Sequence, residues 1–344
     1  MVPLEERKPI LVNARQIKIG ARFLKYYTRR VRPYEVAAQL WNTCDQRCIY
    51  CRCPEVATEL MTTEQWCSIL GQLRRMGTLR VKFQGGEPTI KPDFPEICRE
   101  ARRLGIITSA VTNGMATAAN PDLLNDLQEV VVSLDSLRPE INDFLRGEGA
   151  YNGATRTIEY SLERGLKTYI NMALCQKNYG EVESVLAFAE SKGMKMNAQP
   201  IKFGVKYYDE KARALALSAN QIKDLHRRMI EWKKRRRAVM FSAASFRKAL
   251  DWPELARNTR RSEGYSKCMA GKFYFHIDPN GDVIPCIPHG AEFTPKNILR
   301  DGLVEALKHV RRHNCGDCWS PYLNERKDLF NLRPTALIEF FKRG

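Results

Sequence analysis

Six times between residues 36 and 200, a short apolar or β-branched run gives way to a longer stretch with helical spacing. The candidate strands are residues 36–41, 79–84, 107–112, 129–134, 168–174 and 196–201. Between them lie TEQWCSILGQLRRM, FPEICREARRL, TRTIEYSLERG and EVESVLAFAESKG, whose apolar residues recur at three- and four-residue intervals. Repeated βα units with right-handed crossovers predict parallel strands in one sheet or barrel, with helices outside. In such folds ligands meet the C-terminal ends of the strands. Residues just after each predicted strand are therefore the first place to look for chemistry.

The chain has 344 residues, 44% of them hydrophobic, enough for a sizeable core. No run of eighteen apolar residues suits a membrane span, and the N-terminus lacks the apolar core of a signal peptide, so a cytoplasmic protein is expected. The formal net charge of +17 calls for acidic partners. Three segments are expected: a basic amphipathic stretch over 1–35, the βα array over 36–230, and a helical linker with a cysteine-bearing module over 231–344. The first mixes aromatic and aliphatic residues with Lys and Arg, as a docked surface helix or a peripheral membrane contact would. The basic run KKRRR at 233–237 reads as a solvated helix face, with a patch for an acidic partner as the alternative.

Eleven cysteines are many for a chain in a reducing compartment, where clustered thiols point to metal or redox chemistry. Cys44, Cys48 and Cys51 follow the first predicted strand in the loop WNTCDQRCIYCRCPE. Thiolates suit Fe–S clusters or zinc. Three close cysteines can hold three corners of a [4Fe–4S] cube and leave one iron open. Structural zinc would want a fourth ligand, and Cys53 sits awkwardly close for that.

Cys-x3-Cys-x2-Cys with Tyr50 just before the third cysteine resembles the signature of the radical S-adenosylmethionine (SAM) superfamily. The resemblance implies a partial (β/α)6 TIM-like barrel in an α/β chain. It also implies a [4Fe–4S] cluster on Cys44, Cys48 and Cys51 whose open iron chelates SAM. The cluster then cleaves SAM to a 5′-deoxyadenosyl radical that abstracts hydrogen from a substrate. Gly85, Gly86 and Glu87, after the second strand, are similar to the family's GGEP motif, which holds the amino group of SAM. Asn113 belongs to a TNG segment like one common in the family, and Ser133 and Asp135 match its S-x-D segment. Arg146 matches a downstream R-G and would suit the SAM carboxylate. Gln199, ending the sixth strand, is a further candidate for the pocket wall, as is Asn171 or Asn178.

Cys268, Cys286, Cys315 and Cys318 bracket a predicted hairpin, FYFHIDPNGDVIPC, with an Asn280-Gly281 turn. Zinc and Fe–S both suit four such cysteines. Their arrangement looks like the SPASM/Twitch extensions of radical SAM enzymes. That resemblance implies a small C-terminal α+β iron–sulfur module with one auxiliary [4Fe–4S] cluster, used in electron transfer. Cys67, Cys98 and Cys175 read as buried small hydrophobes.

The function expected is reductive SAM cleavage and hydrogen abstraction from an anionic or lipid-linked substrate. A peptide- or protein-modifying maturase, an RNA-modifying enzyme and a non-enzymatic zinc scaffold are the alternatives. The family resemblance implies an electron donor such as flavodoxin or ferredoxin. A small molecule, a lipid-linked molecule or a peptide would be the substrate, and nucleic acid is disfavoured because no RNA-binding module is appended.

Overall fold

The computed structural model describes residues 32–204, 206–235, 237–252, 255, 259–260, 268–288, 293–313 and 317–343. Nearly all of the basic N-terminal segment, and Cys315 of the second cysteine set, lie outside them.

The six expected strands form β1 (Glu35–Gln39), β2 (Arg80–Gln84), β3 (Ile107–Thr112), β4 (Glu129–Ser133), β5 (Lys167–Leu174) and β6 (Lys195–Pro200). Neighbours in this series pair in parallel, in chain order. Two short strands, β7 (Thr259–Arg260) and β11 (Asp317–Cys318), pair separately. The hairpin of β8 (Tyr274–Ile277) and β9 (Asp282–Ile284) does not stand apart from the βα array. Strand β8 lies parallel to β1, with Glu35 opposite Tyr274, and β10 (Lys296–Asn297) follows β9. One nine-stranded sheet results, in the order β10-β9-β8-β1-β2-β3-β4-β5-β6. Gly281 turns the hairpin at φ +88°, a conformation that glycine adopts without the steric penalty of a Cβ.

The helices cover the outer face. Helix α1 (Thr63–Met76) starts with a capping box between Thr62 and Gln65 and stops at Gly77, in the left-handed region. Its buried Trp66, Ile69, Leu70 and Leu73 recur at helical spacing. Helices α2 (Phe94–Arg103), α3 (Met115–Ala119), α4 (Pro139–Arg146), α5 (Ala150–Glu163) and α6 (Val182–Ser191) continue the crossovers. Then come α7 (Ala219–Lys234), α8 (Ala243–Arg247), α9 (Ile298–Asp301), α10 (Leu303–Arg312), α11 (Pro321–Phe330) and α12 (Pro334–Arg343). Much of the basic run at the end of α7 is internally neutralised. Lys234 and Arg235 pair with Glu231, and Arg237 pairs with Glu183 and Glu190.

Strand alternation decides what faces inward. Val36 and Ala38 of β1, and Val81 and Phe83 of β2, are buried in the main apolar core. The alternate positions carry Glu35, Gln39, Arg80, Lys82 and Gln84, and four of these five line an interior cavity. Closed barrels usually fill that interior with branched aliphatic side chains. This open sheet instead encloses a chamber whose wall mixes charged and polar side chains with apolar ones.

Candidate active site

The loop after β1 carries Cys44, Cys48 and Cys51, and backbone hydrogen bonds hold it from two sides. On one side, Gly86 N donates to Trp41 O at 3.0 Å and Glu87 N to Thr43 O at 2.9 Å. On the other, Arg52 N donates to Tyr207 O at 2.9 Å, and Cys51 bridges Tyr208. A Cβ on Gly86 would lie 2.2 Å from Thr43 O, and one on Gly85 2.4 Å from Trp41 O. The first service of these glycines is thus to let the turn after β2 press against the cysteine loop.

Glu87 is buried, and its carboxylate is engaged within the protein. Oε1 accepts from Thr89 N at 3.1 Å and Thr89 Oγ1 at 2.6 Å, and Oε2 accepts from Asn113 N at 2.7 Å. Burial raises its pKa to about 7 despite these donors. Asn113 continues the chain of contacts, donating from Nδ2 to Asp45 Oδ1 at 2.6 Å and, at 3.7 Å, to Cys44 Sγ. The turns after β2 and β3 therefore brace the cysteine loop, a role that spacing along the chain does not display.

Tyr50, Asp135 and Arg146 form a buried lock. Tyr50 Oη donates to Asp135 Oδ2 at 2.6 Å, while Arg146 Nη1 donates to Tyr50 Oη at 2.7 Å and to Asp135 Oδ2 at 3.1 Å. Asp135 Oδ1 accepts from Ala173 N at 2.7 Å. With both oxygens occupied, Asp135 sits behind the cavity wall and does not line it. Arg146 does line it, and its main-chain oxygen accepts from Cys48 Sγ at 3.7 Å. Within its guanidinium, Nη1 serves the lock, while Nε is buried with no hydrogen-bond partner among the described residues.

Cys44, Cys48, Tyr50, Cys51, Gly85, Gly86, Glu87, Asn113, Ser133, Arg146 and Gln199 line one cavity of about 270 Å³. Burial pushes the Cys44 thiol up to about 12 and raises Cys48 and Cys51 as well. Bare thiolates are thus disfavoured here, and a cationic iron centre supplies the charge that deprotonates a coordinating thiol. Cys53 differs in kind. It is buried, accepts from Gln39 Nε2 at 3.8 Å and donates to Asn42 Oδ1 at 3.7 Å. It borders the same cavity as the other three, with its thiol engaged by the Gln39 and Asn42 side chains.

A second cavity of about 330 Å³ adjoins the first and shares Cys51, Gln84, Asn171, Gln199, Lys202 and Tyr208 with it. It runs to Cys286 and Tyr274. Cys268 Sγ lies 3.1 Å from Tyr274 Oη. Burial, then the fields of Cys268, Cys318 and Cys286, raise the Tyr274 pKa. Lys202, two residues past β6, feels Cys286 and Cys318 while lining both cavities. Neither Lys202 nor Tyr208 was a sequence candidate, although the strand-end rule pointed to the start of their loop.

A partial barrel with a cysteine loop at the C-terminal end of its first strand, beside a ligand-sized cavity, defines a cluster-bearing α/β enzyme. The profile of the Radical SAM superfamily matches residues 39–189. The chain contains a Radical SAM domain and is an enzyme of the radical SAM class, with a [4Fe–4S] cluster and SAM as its cofactors. PqqA peptide cyclase of Rhizobium meliloti (strain 1021) is 24% identical over 311 residues, covering 85% of this chain and 78% of that protein. The same enzyme from Xanthomonas axonopodis pv. citri (strain 306) is 28% identical over 317 residues, covering 84% and 74%. Among solved structures, Streptococcus suis SuiB bound to S-adenosylmethionine superposes with a TM-score of 0.64 at 20% identity, over 86% of this chain and 72% of that one. The structure of anSMEcpe with bound AdoMet and Kp18Cys peptide gives 0.60 at 14% identity, over 91% and 100%. Among the described residues no helix is long and apolar enough to cross a membrane.

Proposed function

We propose that this enzyme modifies a peptide, holding its SAM-binding cluster on Cys44, Cys48 and Cys51 and an auxiliary cluster on Cys268, Cys286, Cys315 and Cys318. The observation that carries the reading is the pair of adjoining cavities, which links the Cys44–Cys51 loop to Cys286 through a chamber of about 330 Å³. The relatives add weight, because PqqA peptide cyclase is named for a peptide and SuiB has been solved with its precursor peptide SuiA. A peptide thus replaces the lipid-linked or small anionic substrate as the leading reading. That earlier reading leaned on charge and on an N-terminal segment that lies almost wholly outside the described residues.

When bound, the cluster and SAM together supply a 5′-deoxyadenosyl radical able to take a hydrogen atom from carbon. The chain's own residues prepare the place for it. The bracing of Glu87 and Asn113 fixes the cysteine loop against β2 and β3. The lock of Tyr50, Asp135 and Arg146 fixes it against β4 and α4. Gly85, Gly86, Ser133 and Gln199 provide a snug wall for SAM. Asn171, Lys202 and Tyr208 stand where the SAM pocket opens to the chamber and would orient the substrate carbon. Low-potential electrons would come from a donor such as flavodoxin or ferredoxin.

The test is anaerobic turnover of the reconstituted enzyme with deuterated short peptides encoded beside its gene. Deuterium moving from peptide to 5′-deoxyadenosine is the expected result. Transfer from a lipid-linked or nucleic-acid substrate instead, with every peptide inert, would overturn the peptide assignment.

A further inference from the structure

The wall of the inner chamber opposite the SAM pocket carries a group of charges that the chemistry above does not use. Glu35 of β1, Lys82 of β2 and Arg326 of α11 line it, and Arg80 and Glu129 lie alongside. Buried charges persist in proteins when they are paired. Arg80 pairs with Glu129, and Arg326 pairs with Glu35. Lys82 remains. Its Nζ is 4.0 Å from Glu35 Oε1, too far for a hydrogen bond. Its other close neighbour is the ring of Tyr322, with Nζ 4.8 Å from the centroid. The Arg326 guanidinium lies over the same ring at 3.4 Å, and its Nη1 is buried with no hydrogen-bond partner among the described residues. Burial, reinforced by Arg326 and Arg80, lowers the Lys82 pKa to about 8 against the pull of Glu35.

Three cations thus face two carboxylates, and among the described residues the Lys82 ammonium has Glu35 only at 4.0 Å while Arg326 Nη1 has no hydrogen-bond partner. A single negative charge completes the set, whereas a phosphate dianion would overshoot it. An Arg N–H and a Lys ammonium are donors suited to carboxylate oxygens. We propose that this wall is a carboxylate-binding subsite, built by Arg326 and Lys82, that selects an acidic group of the substrate. It rests on the reading of the chamber as the substrate site. Two sources share the chemistry: the side chain of a Glu or Asp residue, and a peptide's C-terminal carboxylate.

Equilibrium dialysis of the reconstituted full chain against labelled probes tests this without turnover. The probes are N-acetyl-glutamate N-methylamide, its glutamine counterpart, N-acetyl-glutamine with a free carboxylate, and inorganic phosphate. One carboxylate probe should bind at least about tenfold tighter than the uncharged amide, the scale of a charged hydrogen bond. Which of the two binds identifies the source. Lys82→Met should erase that preference. Arg326→Gln should do the same but takes from buried Glu35 its nearest cationic partner, so it can fail to fold. Glu35→Gln guards against that ambiguity, because removing the competing carboxylate should tighten carboxylate binding, a gain that misfolding cannot mimic. Equal binding of charged and uncharged probes, an unchanged preference in Lys82→Met, or tighter binding of phosphate than of either carboxylate would each overturn the subsite. A carboxylate preference with no peptide ever modified would leave the subsite standing and remove the peptide reading. Peptide turnover indifferent to every Glu→Gln, Asp→Asn and C-terminal amide replacement would do the reverse.

Discussion

The main-chain N–H of Asn113 donates to Glu87 Oε2 at 2.7 Å, tying the turn after β3 to the turn after β2 directly beneath the cysteine loop. Glu87 is buried, with its pKa raised to about 7. A carboxyl group whose folded pKa exceeds its unfolded value binds a proton more tightly when folded. Its contribution is therefore complete below the unfolded pKa, near 4.5, and is lost as pH rises through about 7. The cluster-free protein should lose stability over that window, by at most roughly 3 kcal/mol. Urea titrations from pH 4.5 to 8 measure the loss. Glu87→Gln should flatten the slope and lower stability at the acid end, because its amide NH2 cannot accept from Asn113. A wild-type curve that rises with pH across the window would contradict the assignment.

Tyr50, Asp135 and Arg146 should stand or fall together. Asp135→Asn leaves the Arg146 guanidinium buried without its counter-charge and should cost about 3–5 kcal/mol. Tyr50→Phe removes one hydroxyl from the lock and should cost about 1–3 kcal/mol. The double variant should cost less than the sum, since both substitutions break one network. Chemical denaturation gives all three numbers. Additive losses would show that the three side chains do not act as a unit.

Gly86→Ala tests the close approach between the turn after β2 and the cysteine loop. The added Cβ would meet Thr43 O at 2.2 Å and Asn42 O at 2.3 Å, both main-chain atoms that cannot swing aside. The loop must shift, at a cost of about 1–3 kcal/mol. Iron and sulfide bound after anaerobic reconstitution should drop while far-UV circular dichroism stays the same. Full iron content in the variant would mean that the contact does not position the loop.

The two buried environments in the loop predict opposite outcomes for two cysteines. Cys44→Ala should abolish 5′-deoxyadenosine formation from SAM and dithionite. Cys53→Ala should keep it, because the Cys53 thiol, although it borders the cavity, is engaged by Gln39 and Asn42. The cost there is a small cavity, about 1 kcal/mol. Loss of activity in both variants with iron content unchanged in Cys44→Ala would reassign the third ligand.

The sequence alone determined the six alternating βα units, the glycine-turned hairpin around Asn280-Gly281 and the place of the cysteine loop. Those features are local. They depend on the hydrophobic period, on turn residues and on short spacings that a chain carries wherever it folds. The family resemblance also rested on such a local spacing, Cys44 to Cys51. Tertiary structure decided the rest, because it sets which distant residues meet. The parallel pairing of β8 with β1 brings Cys286 to the wall of the same chamber that Cys51 lines. Glu87 and Asn113 turned out to brace the loop, and Asp135 to lie behind the wall. Lys82 and Arg326, 244 positions apart (326 − 82), meet over one tyrosine ring. No periodicity records such a meeting, since it depends on the inward face of β2 and on where α11 packs. The Cys44, Cys48, Cys51 motif was legible in the chain as written, while the chamber it serves exists only once the sheet has curled.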